Sequence, residues 1–236
     1  MRAFLLVLIP AVAAAEPRSF GKTYEYATLP EGETEVSLWH GLDRDAWESN
    51  SRQELQERLQ IGFGVLDRLE TSLFAEFSQA SDQDFRFDAL RFQARIRAID
   101  ADQWEKIGLG VVVHVEAAKQ FSVGEYDLRG ELDVTRAFDR ILVAVNGIAN
   151  YPVGHDVHDA DVTYAWAGGV SYEVVTKLRI GAELFGNHMP GTTQNDLGPV
   201  ISVTPSRKLW LAVTAGFGLS DPSPAFAGQL IVGLAR

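Results

Sequence analysis

The densest set of metal-ligand side chains in this sequence is His155, Asp156, His158, Asp159 and Asp161, with His188 and Met189 in a later polar stretch. Imidazole and carboxylate together suit a divalent transition metal, and a thioether adds a soft ligand. The spacing matches no closed zinc pattern, and the chain has no cysteine. A solvated acidic loop is therefore the plainer expectation, with His155 and His158 as weak metal candidates. His114 and Glu116 lie two residues apart, so in an extended segment they share one face, where they could act as a base and its orienting acid. Spacing sets no serine beside them, so neither an enzyme nor a cofactor is expected. The third chemical signal is charge. Arg91, Gln93, Arg95 and Arg97 share one parity, opposite Leu90, Phe92, Ala94 and Ile96.

Elements able to hold such a face must separate two environments. The chain has 236 residues, 46% hydrophobic and 22% charged, and no cysteine, so a disulfide scaffold is excluded. Its formal charge of −11 opposes binding to nucleic acid phosphates. Residues 1–15 carry Arg2, an apolar run and Ala13, Ala14 and Ala15, the pattern of a secretory signal peptide. Cleavage after Ala15 would remove one of 21 basic residues and none of 32 acidic ones, leaving −12. No later segment offers about 18 uninterrupted apolar residues, so a helical membrane protein is not expected. A soluble protein outside the cytoplasm or a membrane β-barrel remains.

Period-2 alternation predicts twelve strands, at 34–40, 59–64, 69–78, 90–97, 107–116, 126–135, 141–151, 162–173, 178–186, 197–203, 209–218 and 226–235. A basic residue followed by Leu or Ile recurs at strand starts: Arg68, Lys106, Arg140, Lys177 and Lys208. The intervals of 38, 34, 37 and 31 residues each hold one hairpin and leave no room for a crossover helix. Short links (65–68, 137–139, 174–176, 204–207, and a longer one at 99–105) alternate with polar loops (41–52, 79–84, 119–125, 152–161, 187–196, 220–224). These features predict an all-β, antiparallel up-and-down transmembrane barrel with short periplasmic turns and longer outer loops. A soluble sandwich would alternate too, but with its polar face outward. Tyr164, Trp166 and Tyr172 share one parity, as an interfacial girdle requires. Trp39 and Trp210 oppose their leucine neighbours, so each either faces the lumen or marks a bulge.

The stretch from Gly21 to Pro30, the segment Leu197, Gly198, Pro199, and the run from Trp210 through Gly216, Phe217, Gly218 and Leu219 resemble an outer-membrane barrel family of Gram-negative bacteria. Its members are labelled transporter-like or MetA-pathway phenol-degradation proteins. The resemblance implies a barrel in the cell outer membrane that passes small compounds, and it brings no catalytic residues. One departure is the ending Leu234, Ala235, Arg236, where such barrels usually present an aromatic residue to the barrel assembly machinery.

The expected organisation is a signal peptide at 1–15, a periplasmic leader or lumen segment at 16–32 and a barrel at 33–236. Twelve strands about 4.8 Å apart and tilted about 40° give a backbone radius of roughly 12 Å. If leucine-bearing parities meet lipid, the lumen receives Arg58, Glu70, Glu76, Arg91, Arg95, Arg97, His114, Glu116, Arg129, Glu131, Arg179 and Glu183, with Asp127 and Asp133. Near-balanced charge fits either a structural ion-pair network or a solute-lined constriction. The expected partners are outer-membrane lipid, the barrel assembly machinery and an unidentified small solute, with no nucleic acid. Function is expected to be passive passage of small solutes, or else a closed structural or surface-binding barrel.

Overall fold

The computed structural model describes residues 18–48, 51–81, 83–99, 101–121, 124–154 and 161–236. The signal peptide expected at 1–15 and the candidates His155 and His158 lie outside these. Among the described residues the strands are β1 (Thr34–Arg44), β2 (Gln53–Leu66), β3 (Leu69–Ala80), β4 (Arg86–Arg97), β5 (Leu109–Gln120) and β6 (Tyr126–Phe138). They continue with β7 (Ile141–Val153), β8 (Thr163–Val175), β9 (Leu178–Met189), β10 (Thr192–Val203), β11 (Leu209–Gly218) and β12 (Phe226–Ala235). Each pairs antiparallel with its sequence neighbour, and β12 returns to β1, from Glu35↔Ala235 to Arg44↔Phe226, closing a twelve-stranded barrel. Closure leaves no strand edge unpaired.

Alternation sets the register. Leu38, Leu73, Phe92, Leu132, Val145 and Ile180 all point outward and are exposed, whereas Glu70, Gln93, His114, Asp133, Asn146 and Glu183 point inward and are buried. This is the reverse of a soluble barrel, and it removes the sandwich alternative. A one-residue slip would carry every one of these charges to the outer wall.

Three local features depart from the sequence expectation. First, β2 begins at Gln53 and β1 runs to Arg44, because strands continue past the apolar belt. There His40 and Glu57 pair outward at 2.5 Å. Second, the link after β4 contains a seven-residue helix, α1 (Ala101–Ile107), where only a loop was expected; Gly108, at φ 60°, turns its end into β5. Third, β9 and β10 meet through Pro190 and Gly191 alone, so the long outer loop expected at 187–196 is a tight hairpin with Gly191 at φ 78°.

The core lies inside the barrel. Its two buried apolar clusters are Tyr24, Trp39, Trp210, Ala212, Ile231 and Ala235, and Phe20, Ala144 and Val200. Each contains a residue from before β1. Trp39 and Trp210 therefore face the lumen, and neither marks a bulge.

Candidate functional site: the lumen and the segment that crosses it

Residues 18–31 run through the barrel interior without forming a strand. A buried extended chain needs partners for its N–H and C=O groups, and here side chains of the wall supply them. Glu183 accepts the backbone N–H groups of Gly21 (2.9 Å), Lys22 (2.9 Å) and Thr23 (2.7 Å), and also the Thr214 hydroxyl. Asn146 accepts from Tyr24 N–H at 2.7 Å and donates to Tyr24 C=O at 3.0 Å. Arg95 donates to Glu25 C=O (3.0 Å), Leu29 N–H donates to Glu70 (3.0 Å), and the Tyr26 hydroxyl donates to Ile99 C=O (2.8 Å). Hydrogen bonds to charged groups contribute about 1.5–3 kcal/mol each, so Glu183 alone is a substantial anchor.

The wall also gives way sterically. A Cβ on Gly110 would collide with the Tyr26 ring, one on Gly169 with the Phe20 ring, and one on Gly64 with the Pro30 carbonyl. These glycines are seats for the crossing segment. At the periplasmic end the Tyr26 ring also stacks on Trp104 of α1, with centroids 4.7 Å apart at 20°. Gly32, at φ 82°, then turns the chain into β1.

The charged side chains form a ladder across β2–β6. Arg58 meets Glu76 at 2.9 Å, Arg91 meets Glu76 (3.1 Å) and Glu116 (2.9 Å), and Arg129 meets Glu131 (2.6 Å). Arg95 meets Glu70 at 3.2 Å. Register explains the pairs, since Arg58↔Glu76, Glu70↔Arg95 and Glu116↔Arg129 are direct cross-strand neighbours. The opposite half of the wall is smaller and less polar, with Ala144, Ala167, Val200, Ala212 and Ile231 buried. Phe20 packs with Ala144 and Val200 on that half, whereas Tyr24 packs with Trp39 and Trp210 and meets the His114 ring edge-on.

Of the lumen residues expected from the sequence, Glu70, His114, Glu116, Glu131 and Glu183 are buried, and Arg58, Glu76, Arg91, Arg95 and Arg129 are drawn into ion pairs. Arg97 lies over the Tyr26 ring, 5.6 Å from its centroid. Arg179 donates to Ser171 Oγ at 3.0 Å and meets Glu173 near the periplasmic rim. His114 is wholly buried, against Asp133 through Nε2 and 3.7 Å from Glu131 through Nδ1, with the Tyr24 ring edge-on at 4.9 Å. Its surroundings are acidic, basic and aromatic, and no serine lies among its described contacts. His188 bonds Thr193 Oγ1 at 2.8 Å at the exposed β9–β10 hairpin.

Several residues that hold the site carried no chemical signal in the sequence. Asn146, Thr214, Glu35 and Arg18 became visible only once the segment was seen inside; inward-parity glycines such as Gly110 and Gly169 were the available clue.

Among the described residues, an outer and an inner cavity flank the segment. The outer one, about 470 Å³, is floored by Gly21, Lys22 and Tyr24 and walled by Trp39, Arg58, Glu76 and Arg129. The inner one, about 40 Å³, lies among Arg18, Glu25, Glu35, Glu70, Arg95 and Trp210. Burial lowers the pKa of the Lys22 ammonium, opposed by the Asp43 and Glu183 carboxylates. Burial raises that of Glu25, opposed by the Ser19 N–H and hydroxyl and by Arg18.

Against known proteins, no family model and no curated sequence matches the chain. Solved structures do. An outer membrane channel from Pseudomonas putida F1 is similar at a TM-score of 0.66, with 14% identity over 90% of this chain and 98% of that one. The KdgM porin in complex with disordered oligogalacturonate is similar at 0.58, with 13% identity over 86% and 98%. The NanC porin is similar at 0.57, with 10% identity over 85% and 98%. The chain has the fold of outer-membrane channel barrels.

Proposed function

We propose that this chain is an outer-membrane channel for small solutes, with a passage set by the segment 18–31. The observation that carries this reading is the polar outer cavity of about 470 Å³, which ends on Gly21, Lys22 and Tyr24 of that segment. The exposed apolar wall supports insertion in lipid, since it has no other apolar partner. Assembly machinery and lipid are then the partners of the folded wall. Solute moves by diffusion past polar side chains, with no bond made or broken. The mixture of Lys22, Arg58, Arg129 and Glu76 around an aromatic Trp39 suits a small polar solute. Oligogalacturonate, the partner of the KdgM porin, is a polar saccharide of this general kind.

The alternative is a barrel closed by its own ion pairs and by the docked segment. Proteoliposomes distinguish the two. Swelling in a monosaccharide or amino acid supports passage, whereas correctly folded protein that leaves the vesicles impermeable supports the closed barrel.

A further inference from the structure

Several buried polar atoms in and beside the ladder of ion pairs lack a hydrogen-bond partner among the described residues. His114 Nδ1 and Glu131 Oε1 are buried and have no hydrogen-bond partner among the described residues. His114 Nδ1 lies 3.7 Å from Glu131 Oε2, too far for a hydrogen bond. Oε2 is held by Arg129, so the open oxygen of this carboxylate near Nδ1 is Oε1, and metal–nitrogen and metal–oxygen bonds of about 2.1 Å each can join such neighbouring ligand atoms. His114, Glu116 and Glu131 each bring a ligand atom within 4.8 Å of the others.

We propose that His114, Glu131 and Glu116 bind one divalent first-row transition-metal ion inside the barrel. Imidazole with carboxylates selects this class over calcium or magnesium, which favour oxygen ligands alone. The surroundings match a bound ion. With Nδ1 on the metal, the ring proton resides on Nε2, against which Asp133 Oδ2 lies. Asp133 is fixed in turn by Asn146 Nδ2 at 2.6 Å. A carboxylate behind the ligating histidine sets its tautomer and orientation. Nε2 lies against both Arg95 Nε, at 3.1 Å, and Asp133 Oδ2, whereas Nδ1 has no hydrogen-bond partner among the described residues. Arg95 has other partners, Glu70 and the Glu25 carbonyl, to hold it when Nε2 carries the proton.

Arg129 grips Glu131 through Oε2 and leaves Oε1 for the metal. The ion would tie β5 to β6 directly beneath Tyr24.

The test uses the mature full-length protein, purified in detergent, stripped with chelator and dialysed against Co²⁺ or Zn²⁺. The expected result is one ion per chain, with Co²⁺ showing visible bands of nitrogen and oxygen coordination. His114→Gln should weaken binding at least tenfold, while a variant with His155, His158 and His188 all changed to Ala should bind as wild type. Folding is checked by the heat-dependent gel shift of barrels. If His114→Gln does not fold, the isosteric Glu131→Gln takes its place. No stoichiometric binding, binding that survives both variants, or binding lost in the triple-alanine protein would each overturn the proposal.

Discussion

Asn146 and the backbone of Tyr24 exchange two hydrogen bonds, 2.7 Å into Asn146 Oδ1 and 3.0 Å out of Nδ2. One amide side chain on β7 thus does for the crossing segment what a neighbouring strand would do. Asn146→Leu keeps the volume but strands the Tyr24 N–H and C=O and removes a donor from Asp133. Each buried group left unsatisfied costs about 1–3 kcal/mol. Limited proteolysis of reconstituted protein should cut within 18–31 at least tenfold faster in this variant. Equal cutting rates would mean that the pair does not anchor the segment.

Trp210 on β11 donates its indole N–H to Glu35 on β1 at 2.8 Å, reaching across β12. It lies on Gly233, where any Cβ would collide with the indole. Gly233→Leu should therefore displace the ring and weaken the closing seam. Trp210→Phe should weaken it by about 1–3 kcal/mol by leaving Glu35 without that donor. Heat-dependent gel mobility measures this as a lowered unfolding midpoint, lower for Gly233→Leu than for Trp210→Phe. An unchanged midpoint in both would remove the seam from the account.

Leu132, outward and half-exposed near the middle of β6, tests the membrane placement. Leu132→Arg should destabilise the barrel in bilayers by about 2–4 kcal/mol. In a protein whose outer face met water, the same change would cost little. Denaturant titration in vesicles reads the difference, and a shift near zero would count against lipid on that face.

Glu25 gives the segment a pH dependence. Burial raises its pKa, so the docked segment holds this proton more tightly than the undocked one. The penalty for burying the carboxylate is present above the docked pKa and is relieved as pH falls through it; below the ordinary carboxylate range the gain stops growing. Docking should therefore strengthen on acidification from neutral pH, and Glu25→Gln should flatten the response. Protease accessibility of 18–31 against pH checks this, and a wild-type profile that rises toward acid would have the wrong sign.

The barrel was legible because period 2 leaves little choice. Leu90 and Phe92 cannot face lipid without sending Arg91, Arg95 and Arg97 inward, and register then sets Glu70 and Glu116 beside them. Strand ends were less legible, because in the extensions Gln53–Arg58 and Gly41–Arg44 only the cross-strand pair Leu42 and Leu55 continues the outward apolar parity. The tight turn at Pro190 and Gly191 was hidden by polar neighbours that read as loop. The course of 18–31 could not be read at all from periodicity: its backbone bonds go to side chains such as Glu183 and Asn146, over a hundred residues away in sequence. The grouping of His114, Glu131 and Asp133, only 17 and 19 residues apart, needed the register of β5 on β6 before their atoms came together.

Conductance in planar bilayers tests the central claim, that the segment 18–31 sets the passage. Glu183→Ala removes the acceptor for three of its backbone N–H groups, and a chain lacking residues 18–29 removes the segment itself. The account predicts small wild-type currents, larger ones for Glu183→Ala, and currents several-fold above wild type for the shortened chain. Folded protein whose current is the same in all three, or absent in all three, would contradict it.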